Sequence, residues 1–201
     1  MSKDKVSIDE LAWKMIGKLD VIKDEGRGKT ILANIRSTVG KSLDDANTIW
    51  PFLFEYLPEE YLGRRGEISP YENAIYMTLQ VYAIIQQGSG NRGIAKELDG
   101  NFSMGDTLRI LRRGDESDKS LNQRFNAMVT ANEFEEFCYH LRHLVRILKA
   151  KVEGSLQVDY GKLARDLYWL QREKKKEVSM NWSRCYYKSI NSKTNDVEEE
   201  K

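Results

Sequence analysis

Ser69-Pro70-Tyr71-Glu72-Asn73-Ala74-Ile75-Tyr76-Met77-Thr78-Leu79-Gln80-Val81-Tyr82-Ala83-Ile84-Ile85-Gln86-Gln87 is the stretch whose reading decides the fold. A serine followed three positions later by glutamate is a capping box, each side chain satisfying a backbone N–H of the other. Pro70 stands at the first helical position, where its missing N–H costs nothing. The apolar residues that follow (Tyr71, Ala74, Ile75, Met77, Leu79, Val81, Tyr82, Ile84, Ile85) lie on most sides of a helix rather than along one stripe. A helix that is apolar nearly all round must be covered on all sides, so this one is expected at the centre of a helical bundle.

The periodicity stays helical on either side. Upstream, Ser7 and Glu10 form another capping box and predict a helix to about Lys23, with Leu11, Met15, Leu19 and Ile22 on one face. A second helix is expected from about Lys29 to Val39, with Gly40 at the C′ position. The aromatic segment from Ile49 to Leu62 holds Pro51 and Pro58, which should break it into short pieces. Downstream, Gly88 to Gly93 reads as a linker, and helices are expected at about 94–98, 104–113, 119–130, 133–151 and 159–174. No proline follows Pro70, no strand candidate stands out and no internal repeat is visible. The last dozen residues are polar, end in a glutamate run and are expected to fray. The fold class is therefore all-α.

Length and composition agree. A chain of 201 residues can bury a real core. Its 31% charged residues exceed the average of about 25% for globular domains. Twenty aromatics (6 Phe, 10 Tyr, 4 Trp) have no place in a disordered chain. The longest apolar run, Ile49 to Phe54, falls far short of the roughly 20 residues of a membrane span. The polar N-terminus lacks a secretory apolar region, and Cys138 and Cys185 are too few for a disulfide scaffold or a four-thiolate zinc site. A reducing cytoplasm is the expected setting, with no membrane and no cofactor.

Three motif-like patterns fail on context. Gly88-Ser89-Gly90-Asn91-Arg92-Gly93 matches the dinucleotide fingerprint letter for letter, but a long helix precedes it where a strand is required. Gly26-Arg27-Gly28-Lys29-Thr30 resembles the end of a phosphate-binding loop, but Lys23 occupies the position of the first glycine, and a helix again precedes. His140 and His143 sit three apart, roughly 160° from the stripe of Phe134, Cys138, Leu141 and Val145 at 100° per residue. They should face solvent or an anion, since a zinc site needs further ligands and no nucleophile is paired with them in sequence. The chain is not expected to be an enzyme.

Charge distribution says more than the net charge of +1. Gly26 to Lys41 contains Arg27, Lys29, Arg36 and Lys41 and no acid, whereas Ser42 to Gly63 contains five acids and no base. Such segregation creates local fields that the total hides. Arg109, Arg112 and Arg113 fall at i, i+3, i+4, and Arg142, Arg146 and Lys149 at i, i+4, i+7, each a single face of its predicted helix. Glu133, Glu135 and Glu136 in the first turn of the latter helix also suit the helix dipole. Arginine forks match phosphate oxygens, and no base-reading motif is visible. The functional reading is sequence-independent contact with a nucleic-acid backbone. A purely structural helical subunit, with its arginines paired to acids of neighbouring proteins, is the competing reading.

Several segments resemble the CasB family, the small subunit of the type I-E CRISPR surveillance complex, Cascade. They are Leu32-Ala33-Asn34-Ile35-Arg36, Trp50-Pro51-Phe52, Tyr71-Glu72-Asn73-Ala74-Ile75-Tyr76, Ile84-Ile85-Gln86-Gln87-Gly88 and Ser103-Met104-Gly105-Asp106-Thr107-Leu108. Arg124-Phe125 and Leu141-Arg142-His143-Leu144-Val145 follow, and Val158-Asp159-Tyr160-Gly161-Lys162-Leu163-Ala164-Arg165-Asp166-Leu167-Tyr168-Trp169 is the most specific stretch. Trp182 and Tyr186-Tyr187 close a resemblance that spans roughly positions 30 to 187.

The resemblance implies two small helical bundles in one chain, here 1–92 and 93–190, followed by a polar tail at 191–201. It implies a non-catalytic subunit that sits, usually as a pair, among other Cascade subunits. There it would touch guide RNA and target DNA, including the displaced strand, in antiviral defence. Arg36, Arg124 and Arg142 match basic family positions; Arg109, Arg112, Arg113, Arg146 and Lys149 are added from the stripes. Ser37, His143 and Asp106 stand where the family often has a base. Trp169 and Trp182 are expected to be structural.

Overall fold

The computed structural model describes residues 6–87, 102–152 and 156–190. The linker expected at Gly88–Gly93, the helix expected at 94–98, the division at 92/93 and the tail at 191–201 lie outside the described residues.

The described residues are all-α. Helices α1 (Ile8–Ile22), α2 (Gly26–Ser37), α3 (Trp50–Tyr56) and α4 (Pro70–Gln86) come first, with short 3₁₀ turns at Asn47–Ile49 and Glu59–Tyr61 flanking α3. Helices α5 (Met104–Arg109), α6 (Lys119–Thr130), α7 (Phe134–Lys151), α8 (Tyr160–Leu170) and α9 (Lys175–Tyr187) follow, with a 3₁₀ turn at Glu116–Asp118 before α6. No strand occurs among the described residues.

Helix α4 takes the central place that its composition predicts. Every residue from Ala74 to Ile85 is buried, and α1, α2, α7 and α8 all pack against it. Its capping box forms: Ser69 Oγ accepts from the Glu72 N–H at 3.1 Å, and Glu72 Oε2 accepts from the Ser69 N–H at 2.6 Å. The same carboxylate accepts from the Gly63 N–H at 2.9 Å, which ties the preceding loop to the helix start and pairs a charge that is 6% exposed. The box on α1 also forms, between Ser7 and Glu10.

Helix α8 packs along α1 and α4 and also touches α9. Through it the buried side chains of α1–α4 and α5–α9 join one hydrophobic cluster. At its edge Arg165 meets Asp9 at 3.1 Å.

Local chemistry explains where boundaries differ from expectation. Helix α2 starts at Gly26, three residues earlier than predicted, because Gly28 lets its first turn rest on the end of α1. A Cβ at Gly28 would stand 1.9 Å from the Ile22 carbonyl oxygen. The phosphate-loop lookalike is thus a helix–helix joint. Helix α5 ends at Arg109, not near 113. The Asp118 carboxylate accepts from the N–H groups of Arg113 and Gly114 at 2.8–3.1 Å, and Gly114 takes φ +82°, so the chain turns there instead of continuing as helix. Helix α9 is absent from the sequence reading, although Val178, Trp182 and Tyr186, all buried, recur every four residues.

Candidate nucleic-acid interface

Helix α7 is the backbone of the candidate surface. One side buries Phe137, Cys138, Leu141, Leu144, Val145 and Leu148. Burial pushes the Cys138 thiol up to about 12, so it behaves as an apolar side chain rather than a nucleophile. The opposite side carries Tyr139, His143 and Arg146, close in angle at 100° per residue, with Arg142 and Lys149 along one flank and His140 along the other.

Arg142 is not the free cation that the stripe predicts. Its Nη1 donates to Gln80 Oε1 at 3.3 Å and lies 3.5 Å from Met77 Sδ. Gln80 is fully buried and donates through Nε2 to the Thr38 carbonyl at 3.2 Å, which also accepts from the Tyr76 hydroxyl at 2.9 Å. A chain of polar contacts therefore runs from the end of α2 through α4 to α7, and Arg142 is its outer member. Burial holds the Arg142 guanidinium below its usual pKa, and the neighbouring Arg146 charge acts in the same direction. Neither Glu135 nor Asp166 pairs with it among the described residues. Lys41 and Arg142 line one pocket of about 110 Å³, floored by Leu43, Met77 and Phe134.

The expected face of Arg109, Arg112 and Arg113 does not exist as a helical stripe, because α5 stops at Arg109. Arg112 points inward. Its Nη1 donates to the Tyr186 carbonyl at 2.8 Å, its Nε lies 3.8 Å from Asp118 Oδ2, and its guanidinium is 5.3 Å from the ring centres of Tyr186 and Tyr187. It clamps the end of α9 to the α5–α6 loop and has little charge left to offer. Arg113 is exposed and Arg109 half-buried. Arg36, in the last turn of α2, is half-buried and lines neither the Arg142 pocket nor the groove described next.

Arg124 is exposed on α6. It lines a groove of about 280 Å³ between α6 and α7 together with Ser120, Gln123, Tyr139, His140 and His143. The histidines thus face outward, as their angle predicts. Ser120 shares the groove with them, but no hydrogen bond joins it to either imidazole among the described residues. The structure brings together Arg142, Arg146 and Lys149 on one side of this face and Arg124 across the groove. Arg36, Arg109 and Arg113 stand apart. Tyr139 is the member that the sequence reading passed over, and its signal was an aromatic outside the apolar stripe of α7.

Charge segregation along the sequence is partly undone in space. Arg27 of the basic segment meets Glu55 of the acidic one at 3.3 Å. Asp106 has a local role: its Oδ2 accepts from the Ser103 N–H at 2.8 Å and caps α5. Trp182 is fully buried, with its Nε1 donating to Asp166 Oδ2 at 2.7 Å, as its structural role requires. Trp169 is only partly buried, with the Lys174 ammonium 4.5 Å above its ring.

This architecture is one already seen in solved structures. CasB from Thermobifida fusca superposes with a TM-score of 0.69 at 22% identity, over 89% of this chain and 97% of that one. CasB from Thermus thermophilus gives 0.61 at 18% identity, over 89% and 98%. A chain of a CRISPR RNA-guided surveillance complex gives 0.65 at 20% identity, over 89% and 92%. No curated protein sequence matches significantly. The model of the CRISPR-associated protein Cse2 family matches residues 31–187, and the chain belongs to that family. The resemblance to CasB read from the sequence is thereby met.

Proposed function

We propose that this chain is a non-catalytic small subunit of a Cascade-type CRISPR surveillance complex. It binds nucleic-acid backbone and stabilises the guide RNA–target DNA R-loop, displaced strand included. Base pairing with the guide supplies sequence specificity in such complexes, and protein–backbone contacts tip a nearly balanced strand exchange. The parts 1–92 and 93–190 belong to this reading, as do a paired arrangement of two copies and contact with other Cascade subunits.

The observation that carries the proposal is the outer face of α7. Arg146 there and Arg124 across the groove make no ion pair among the described residues, so both charges remain available to phosphates. Arg142 adds a half-buried cation whose polar partners among the described residues, Gln80 and Met77, are neutral. Kinship with a family whose solved relatives include a surveillance-complex chain supports the setting. No helix among the described residues is long and apolar enough to cross a membrane.

The test is binding of the isolated chain to single- and double-stranded oligonucleotides over a salt series. Weak binding without sequence preference is expected. Each neutralised phosphate should add a log–log salt slope of about −0.9 for duplex and about −0.7 for single strands. Binding indifferent to salt, or selective for one sequence by orders of magnitude, counts against the proposal. No binding at any salt favours the purely structural subunit.

A further inference from the structure

We propose that the α6–α7 groove is a base-stacking subsite for single-stranded nucleic acid, with Tyr139 carrying an unpaired base and Arg124 the adjoining phosphate. The inference rests on the nucleic-acid reading above and narrows it to one strand class and one groove.

Tyr139 is 59% exposed, in the second turn of an 18-residue amphipathic helix. An aromatic ring left in water at such a place has an unsatisfied face. Imidazoles flank it: the ring centres of His140 and His143 lie 5.2 Å and 6.4 Å away, the first in an edge-on arrangement. Tyrosine has only two side-chain torsions to order when a base settles on its ring, and stacking accepts any base because every base has a π-face.

The rest of the groove supplies what a phosphate needs. Arg124 brings a guanidinium fork from the facing helix, Ser120 and Gln123 bring neutral donors, and the two imidazoles bring ring N–H groups. No carboxylate among the described residues lines the groove. The acids of the same helix, Glu135 and Glu136, lie one turn back in its first turn, outside the groove lining, and Glu136 Oε2 is engaged with the Asn132 N–H at 3.1 Å. Arg146 follows His143 one turn further on and prolongs the positive path along α7. An aromatic ring beside an unpaired cation and without an acid is the composition that suits unstacked nucleotides. A duplex keeps its base faces hidden and could use only the charge.

The experiment compares three probes on the full-length chain by fluorescence anisotropy: oligothymidylate, an abasic strand of equal length, and a duplex. Tyr139→Ala should weaken oligothymidylate binding about tenfold and leave the abasic strand and the duplex unchanged. Tyr139→Phe, which keeps the ring, should bind as the parent does. Arg124→Ala should weaken all three probes. Because both side chains are exposed, thermal unfolding of each variant should match that of the parent. Oligothymidylate binding unchanged in Tyr139→Ala overturns the subsite. If Arg146→Ala weakens binding in that same series, the broader nucleic-acid reading survives without it. Failure of the parent chain to bind any probe removes both. Loss of assembly with partner subunits in Tyr139→Ala, with oligothymidylate binding intact, also overturns the proposal and makes the groove a protein contact.

Discussion

Asp166 of α8 and Trp182 of α9 form a buried pair that ties the last two helices together. Asp166 is 6% exposed, accepts from the Trp182 indole N–H at 2.7 Å and lies 3.5 Å from Lys162 Nζ. Burial nevertheless raises its carboxyl pKa, because the desolvation of the charged form outweighs both partners. A folded-state pKa raised above the unfolded value contributes stability that is fully present below about pH 3.9 and is lost as pH rises through the folded value. Asp166→Asn keeps an acceptor for the indole and removes the titration. The stability of the parent relative to Asp166→Asn should therefore be greatest below about pH 3.9 and should decline as pH rises above it. Chemical denaturation of both proteins at several pH values measures this. A difference that grows with pH instead would mean that the Lys162 attraction outweighs desolvation. Arg142 gives a second lesson at this scale. Its spacing showed correctly that it shares a face with Arg146 and Lys149. Spacing could not show that a glutamine from a helix 62 residues away would be buried within hydrogen-bond reach, since such a contact is a property of packing and not of period.

At the scale of elements, those with strong signals at both ends were legible. Helices α1, α4, α6 and α7 have observed bounds within one or two residues of expectation, because capping boxes, prolines and apolar stripes mark them. The errors fall where tertiary contacts decide. Helix α5 stops at Arg109 rather than at the expected 113, because the Asp118 carboxylate accepts from the backbone N–H groups of Arg113 and Gly114 just beyond it. Helix α9 was missed because its stripe is only three residues, Val178, Trp182 and Tyr186, embedded in polar sequence. Its place depends on α5, which packs along it closely enough that a Cβ at Gly105 would stand 2.2 Å from the Trp182 carbonyl oxygen. Gly105→Ala should accordingly force the two helices apart and destabilise the fold by about 1–3 kcal/mol, the usual cost of overpacking. Thermal or urea unfolding will show it, and a variant as stable as the parent would mean that α5 and α9 can separate freely.

Seen whole, the molecule hides its chemistry in its totals. A net charge of +1 gives no hint of a basic surface, and ion pairs such as Arg27–Glu55 and Arg112–Asp118 consume part of the charge that the sequence segregates. Arg146 on the outer face of α7 and Arg124 across from it on α6 make no ion pair among the described residues, and they flank one groove face. That face is held by α4, the helix whose sequence already announced the bundle, so the fold positions the surface it is proposed to use. The most direct test of the central claim uses Arg146, exposed and without an ion pair among the described residues. Arg146→Ala and Arg146→Glu should change folding stability by no more than about 0.5 kcal/mol. Assembled into the surveillance complex, both should retain target DNA less well, Glu worse than Ala, and the salt slope of DNA binding should shrink by about one unit in the alanine variant. Retention and salt slope identical to those of the parent complex, with the variants folded and incorporated, would contradict the claim that this face holds a nucleic-acid backbone.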